Sequence, residues 1–358
     1  MSTTTLRRTE FATLRVARVD RLCDDAAAIT LDVPEELSAR FAFRPGQWLT
    51  LRRTVDGREE RRSYSICARR GGPLRIGVRE VPGGLFSCWL VREVRPGDEV
   101  EVLPPAGGFT PDLARPAHHV LIAAGSGITP VLSIASSVLE DPAGRATIFY
   151  GNRAADTVMF ADELADLKDS CPARLELVHV LSREAREAEL FSGRLDADRL
   201  RVLLPALTRV AEVDHWWLCG PYEMVADARR VLAELGVPAE RVHQELFFVD
   251  EPPPGPVRRE DTPDGEAASE VTVVLDGRAT TMTLRRDVTV LEGAQRVRPD
   301  LPFACKGGVC GTCRARLVSG RVDMRRNFAL EPAEVAAGFV LTCQSSPASG
   351  AVVVDYDA

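Results

Sequence analysis

Residues 250–269 read DEPPPGPVRREDTPDGEAAS, with five prolines and almost no large apolar side chain. Such a stretch cannot enter a hydrophobic core and predicts an exposed, semi-extended tether. No single core can then span the 358 residues. The chain divides into 1–249 and 270–358. A change of rhythm near residue 112 divides the first part again, into 1–112 and 113–249. Apolar residues are 45% and charged residues 27% of the chain, enough to pack each segment as a soluble domain. The net charge of -7 lacks the basic surplus of a nucleic-acid binder. Residues 270–358 hold eleven basic and ten acidic side chains, so that segment is close to neutral.

Short alternating runs at 12–19, 47–52, 74–78 and 99–102 are separated by Pro45-Gly46, Gly71-Gly72-Pro73, Pro82-Gly83-Gly84 and Pro96-Gly97-Asp98. That spacing predicts an all-β barrel or sandwich over 1–112. From residue 113 apolar strands (119–124, 146–150, 175–181, 215–219) alternate with helical patterns (131–139, 159–169, 221–235), which predicts a parallel sheet flanked by helices. Residues 270–358 mix strands at 270–275, 280–284 and 351–355 with a helix at 290–296 and a long irregular loop. Residues 1–10 are polar and carry no apolar run, and the nine cysteines are an odd number, so a reducing cytoplasm is expected. Residues 116–139 lack charge, but Gly125, Gly127 and Pro130 sit in their middle. A strand, turn and helix is the expectation there, not a membrane span.

The irregular loop holds Cys305, Cys310 and Cys313 in the pattern C-x4-C-x2-C, and Cys343 follows after a gap of 29 residues. This is the spacing of a plant-type [2Fe–2S] site. Four thiolates must converge on two irons, and Gly307, Gly308 and Gly311 let the backbone wrap closely. A zinc site usually pairs two short C-x2-C units, and four buried thiols would need no such spacing.

Gly125-Ser-Gly127-Ile-Thr129-Pro130 follows a strand and opens a helix, a geometry that offers free N–H groups to a phosphate. Pro130 departs from the usual G-x-G-x-x-G, so the string alone is weak. The next strands end at Arg153 and at Ser182-Arg183, where an acidic residue would suit NADH. Arginines there suit a 2′-phosphate, hence NADPH. Surface arginines of an arginine-rich chain are the alternative. Arg62-Ser-Tyr64-Ser65 ends a β run and could offer a guanidinium to a pyrophosphate, a ring to a flavin and a hydroxyl to its N5. Gly84-Leu-Phe86-Ser87 could supply the other side of such a site.

These motifs, followed by Cys219-Gly220-Pro221, occur in the order of the ferredoxin–NADP reductase superfamily, which residues 10–249 resemble. The resemblance implies FAD on an antiparallel β-barrel of the FR type over 1–112. It implies an α/β NAD(P)-binding domain over 113–249, with the nicotinamide near Cys219 and Pro221. Ser182-Arg183 with Ser192-Gly-Arg194 is similar to bacterial NADP-type members, which place both arginines on the 2′-phosphate. A β-grasp [2Fe–2S] ferredoxin domain over 270–358 completes the order seen in oxygenase reductases. More narrowly, residues 302–313, Leu341-Thr-Cys343-Gln344 and the tail 352–358 are similar to the reductase subunits of phenylacetyl-CoA 1,2-epoxidases, which serve a di-iron oxygenase in phenylacetate breakdown. The resemblance implies hydride transfer from NADPH to FAD, with Tyr64 covering the ring, Ser65 orienting N5 and Cys219 beside the nicotinamide. Single electrons then pass through the cluster to the oxygenase. The segment His243-Gln-Glu245-Leu-Phe247 could approach the flavin. A reductase of a ring-hydroxylating dioxygenase or an acyl-lipid desaturase fits the same motifs, and a redox-sensing regulator fits them less well.

Overall fold

In residues 12–16 every second side chain is buried, Ala12, Leu14 and Val16, so one face must find a core. It does so in a six-stranded antiparallel sheet. The strands are β1 (Ala12–Cys23), β2 (Ala26–Asp32), β3 (Trp48–Val55), β4 (Arg58–Ser65), β5 (Arg75–Arg79) and β6 (Glu99–Val102). Their order is β4-β3-β6-β1-β2-β5. The two outer strands meet where Ile66 bridges Ile76 and the Cys67 N–H donates to the Arg75 carbonyl at 2.9 Å. The sheet thus closes as a barrel, and its edges are paired. A short helix, α1 (Ser87–Arg92), follows β5. The structure is a computed structural model and describes residues 10–55, 57–247 and 268–358.

The second half is a five-stranded parallel sheet of β7 (His118–Ala124), β8 (Arg145–Asn152), β9 (Leu175–Leu181), β10 (His215–Gly220) and β11 (Val242–Leu246), in the order β11-β10-β7-β8-β9. Helices α2 (Ile128–Val138), α3 (Ala161–Ser170), α4 (Ala197–Leu207) and α5 (Tyr222–Glu234) form its crossovers. The chain leaves β7 for β8 on one side and later returns to β10 on the other. The carboxyl end of β7 is therefore the topological switch point, where open α/β sheets bind ligands.

The barrel and this sheet are less separate than the break at residue 112 implies. Ala12–Val249 form one compact unit. One buried cluster mixes Ala26, Ala28, Cys67 and Phe109 with Leu121, Ile128 and Trp217. Arg75 of β5 also holds Glu163 of α3 at 2.8 Å. A Cβ on Gly77 would stand 2.3 Å from Thr129 Cγ2, so the glycine lets β5 lie against α2.

The C-terminal unit has its own core. β12 (Ala268–Leu275), β13 (Arg278–Arg285), β14 (Arg314–Ser319), β16 (Phe339–Leu341) and β18 (Ala351–Asp355) form a mixed sheet ordered β13-β12-β18-β14-β16. It packs on α6 (Val290–Ala294), which buries Val290, Leu291 and Ala294, as a β-grasp. The pair β15 (Val322–Met324) and β17 (Ser345–Pro347) and the helix α7 (Pro332–Ala336) complete it. Most of the predicted tether, residues 250–267, lies outside the described residues. The tether ends earlier than its composition suggests, because β12 already includes Ala268 and Ser269. The helix predicted to residue 296 ends at Ala294.

Candidate functional site

Ser65 is the last residue of β4, and its hydroxyl donates to Glu245 Oε2 at 3.2 Å, across 180 residues of sequence. Glu245 of β11 is in register with Cys219 of β10. Gly127 closes the other side: a Cβ there would lie 2.1 Å from the Cys219 carbonyl oxygen. The barrel rim, the glycine turn and two strand ends therefore meet at the switch point. Loss of hydration pushes the Glu245 carboxyl up to about 8, against the pull of the Ser65 hydrogen bond. Burial, and then the nearby Glu245, hold the Cys219 thiol well above its ordinary value. The thiol is neutral near pH 7, and the carboxyl is held toward its neutral form. Such a pocket suits an uncharged ring and offers no thiolate nucleophile.

Beside it stands an aromatic shelf. Tyr64 packs against Phe86 with centroids 6.0 Å apart, and Phe86 meets Trp89 edge-on at 5.6 Å. Burial holds the Tyr64 hydroxyl protonated well past its ordinary range. Ser87 Oγ accepts from the Val81 N–H at 3.0 Å and pins the turn that contains Gly84, where a Cβ would strike that hydroxyl at 2.7 Å. Arg62 points outward and pairs with Glu60 at 3.0 Å.

The glycine turn is a single 3-10 turn, Gly125–Gly127, with Gly125 at φ 56°. Thr129 Oγ1 donates to the Ser126 carbonyl at 2.9 Å, Pro130 is buried in the first turn of α2, and the Tyr150 hydroxyl donates to the Gly125 carbonyl at 3.0 Å. Gly220 lets the end of β10 approach Ala124, and Pro221 precedes α5. Arg153 and Arg183 sit on adjacent strand ends, where the Arg183 N–H donates to the Arg153 carbonyl at 2.7 Å and the Ser182 N–H to the Asn152 carbonyl at 2.8 Å. Arg183 and Arg194 are exposed, but the Arg153 guanidinium is held by Asp25 at 2.8 Å. Asp25 also pairs with Arg79 at 3.2 Å, and Arg79 Nη1 lies 3.3 Å from where a Gly125 Cβ would stand. Sequence reading missed Asp25 and Arg79: both belong to the barrel, far in sequence from the turn they reach.

In the C-terminal unit the four cysteines stand as two neighbouring pairs. Neighbouring Cys310 favours the thiolate of Cys305, and neighbouring Cys313 that of Cys343. The Gly307 and Cys310 N–H groups also donate to Cys305 Sγ, at 3.3 and 3.4 Å. Among the described residues no three ligands converge as for one mononuclear ion. Two pairs fit the two irons of a [2Fe–2S] cluster. Of the three glycines singled out for wrapping, Gly308 (φ 79°) and Gly311 (φ 67°) take left-handed backbone. Gly307 does not, and Lys306 (φ 53°) does.

Residues 13–110 match the family described as an oxidoreductase FAD-binding domain, 121–230 an oxidoreductase NAD-binding domain and 273–348 a 2Fe-2S iron–sulfur cluster binding domain. The chain is thus an NAD(P)H-linked flavin and iron–sulfur oxidoreductase of the ferredoxin–NADP reductase superfamily, and belongs to the family of oxygenase reductase components. It is 41% identical over 355 residues to a subunit of the 1,2-phenylacetyl-CoA epoxidase of Escherichia coli (strain K12), a match that covers 98% of this chain and 99% of that one. It is 34% identical to the ferredoxin reductase component of the 3-ketosteroid-9-alpha-monooxygenase of Rhodococcus rhodochrous, over 96% of each chain. The fold matches that of phthalate dioxygenase reductase with a TM-score of 0.58 at 24% identity, over 96% of this chain and 98% of that one. No helix among the described residues is long and apolar enough to cross a membrane.

Proposed function

We propose that this chain takes hydride from NADPH and supplies electrons, in the cytoplasm, to the di-iron oxygenase component of a phenylacetyl-CoA epoxidase. The likeness to the Escherichia coli epoxidase chain over nearly the whole length carries the choice of partner. The contact of Ser65 with Glu245 beside Cys219 carries the chemistry. When bound, the flavin accepts a two-electron hydride and releases electrons singly to the [2Fe–2S] cluster. Ser65 orients the flavin N5 edge, Tyr64 covers the ring, and Phe86 backs Tyr64. Arg62, Gly84 and Ser87 frame the flavin phosphates. The turn of Gly125, Gly127, Thr129 and Pro130 takes the nicotinamide nucleotide's pyrophosphate, and Cys219, Gly220 and Pro221 seat its ring. Arg153, Ser182, Arg183 and Arg194 meet the 2′-phosphate. Cys305, Cys310, Cys313 and Cys343 ligate the cluster. In this reading 1–112 and 113–249 are two functional domains of one unit, and 250–267 tethers the ferredoxin domain.

Cosubstrate kinetics test the nucleotide assignment. Arg183→Ala is expected to lower kcat/KM for NADPH about tenfold or more, the loss of a charge-assisted pair, and to leave NADH unmoved. Comparable use of NADH by the parent protein, unchanged by the substitution, overturns the 2′-phosphate assignment.

A further inference from the structure

The ferredoxin unit is close to neutral, so its net charge does not mark a docking face. Its charges are unevenly matched, however. Arg285 pairs with Asp287, Arg298 with Asp300 and Arg314 with Glu334, at 2.8, 2.8 and 3.1 Å. Two cations beside the cysteine loop differ. Lys306, next to exposed Cys305, is exposed and stands 4.5 Å from the centroid of the Phe303 ring. Arg325 donates to the Asp287 carbonyl at 3.3 Å and to the Ser346 hydroxyl at 3.4 Å, both neutral oxygens. Among the described residues neither has a carboxylate within ion-pair distance. Both line a cleft of about 280 Å³ that reaches Cys343 and Gln344, with Glu292 its one acidic wall. The loop that carries Lys306 is held from beneath, since Gln344 Nε2 donates to the Lys306 carbonyl at 2.8 Å. The two charges thus line a cleft that leads to a cluster cysteine, and the one carboxylate that feels Arg325, Asp287, is already paired with Arg285.

We propose that Lys306 and Arg325 form a basic docking rim, and that the oxygenase component seats carboxylates of an acidic electron-entry face in this cleft. The proposal builds on the reductase reading above, and it adds the chemistry of the partner surface. Opposite charge raises the encounter rate and fixes the orientation that brings the acceptor to the cluster.

The test uses the full-length holoprotein with Lys306→Gln and Arg325→Gln, singly and together, and Arg325→Lys as the conservative variant. Cluster content is read from the visible spectrum. Turnover with NADPH is measured against the concentration of purified phenylacetyl-CoA epoxidase oxygenase component, at low and moderate salt, and in parallel against cytochrome c, a basic acceptor. The expected result is an apparent KM for the oxygenase raised about tenfold in the double variant, with kcat kept, a shallower salt dependence and rescue by Arg325→Lys. Cytochrome c reduction at low salt should rise several-fold, because repulsion is relieved. An unchanged KM and salt dependence in loaded protein overturns the rim. If the parent protein reduces cytochrome c and not this oxygenase, the partner reading fails. The cytochrome c comparison then decides the rim alone: a faster double variant supports it, and no change overturns it.

Discussion

At the scale of single residues, Glu245 has the most to test. Its carboxyl is pushed up to about 8 from an ordinary 4.5, so the folded state keeps a proton that the unfolded chain gives up. The associated stability is full below about 4.5, falls as pH rises toward 8, and is level above. Glu245→Gln should therefore melt higher than the parent near pH 8 and show no such gain near pH 4.5, by thermal unfolding of the two proteins side by side. The same variant should retain flavin but lower the rate of flavin reduction by NADPH about tenfold to a hundredfold, in stopped flow, and should lose any pH dependence centred near 8. The cluster cysteines were legible because their order is local: the spacing itself is the signal. Glu245 was not singled out in the sequence, where only the segment 243–247 stood as one that could approach the flavin. Asp25 and Arg79 were not visible, since their partners, Arg153 and Gly125, reach them only through the barrel's packing on the sheet.

At the scale of elements, the parallel sheet carries a stack that no motif announces. The Trp217 indole N–H donates to His119 Nδ1 at 3.0 Å, and His243 lies over Trp217 with centroids 4.2 Å apart. Burial, aided by neighbouring His215, pushes His119 down to about 3 from its ordinary 6.5, so the ring is a neutral acceptor. The stability this gives is complete above about 6.5 and is lost as pH falls toward 3. His119→Gln should flatten the acid limb of the stability curve over that range. The glycine turn has a different constraint. Gly127→Ala would drive a methyl into the Cys219 carbonyl. It should cost roughly 1–3 kcal/mol by overpacking and abolish saturable NADPH binding, which calorimetric titration would read. The strands with clean alternation or long apolar runs were legible to within a few residues. Val242–Leu246 and Phe339–Leu341 were not, and of Arg58–Ser65 only the end was. Val242–Leu246 and Phe339–Leu341 are short edge strands whose pairing is set by distant partners, and Arg58–Ser65 is nearly all polar.

At the scale of the whole molecule, the order barrel, nucleotide sheet, ferredoxin unit follows from three changes in pattern along the chain, and the fold keeps that order. The shared core of the first two could not be read, because cross-domain packing has no period in sequence. Ala12–Val249 form one compact unit, so a fragment of residues 1–249 should fold, bind flavin and retain most NADPH-driven ferricyanide reduction. It should lose nearly all reduction of the oxygenase, which a purified fragment and the full chain would show in one assay.

The most direct measurement is NADPH oxidation by the full-length protein with a purified phenylacetyl-CoA epoxidase oxygenase component, with and without phenylacetyl-CoA, beside ferricyanide reduction in the same batch. The account predicts oxidation that depends on phenylacetyl-CoA and yields the epoxide. Brisk ferricyanide reduction with no substrate-dependent oxidation would contradict the assigned partner and leave a live reductase of another oxygenase.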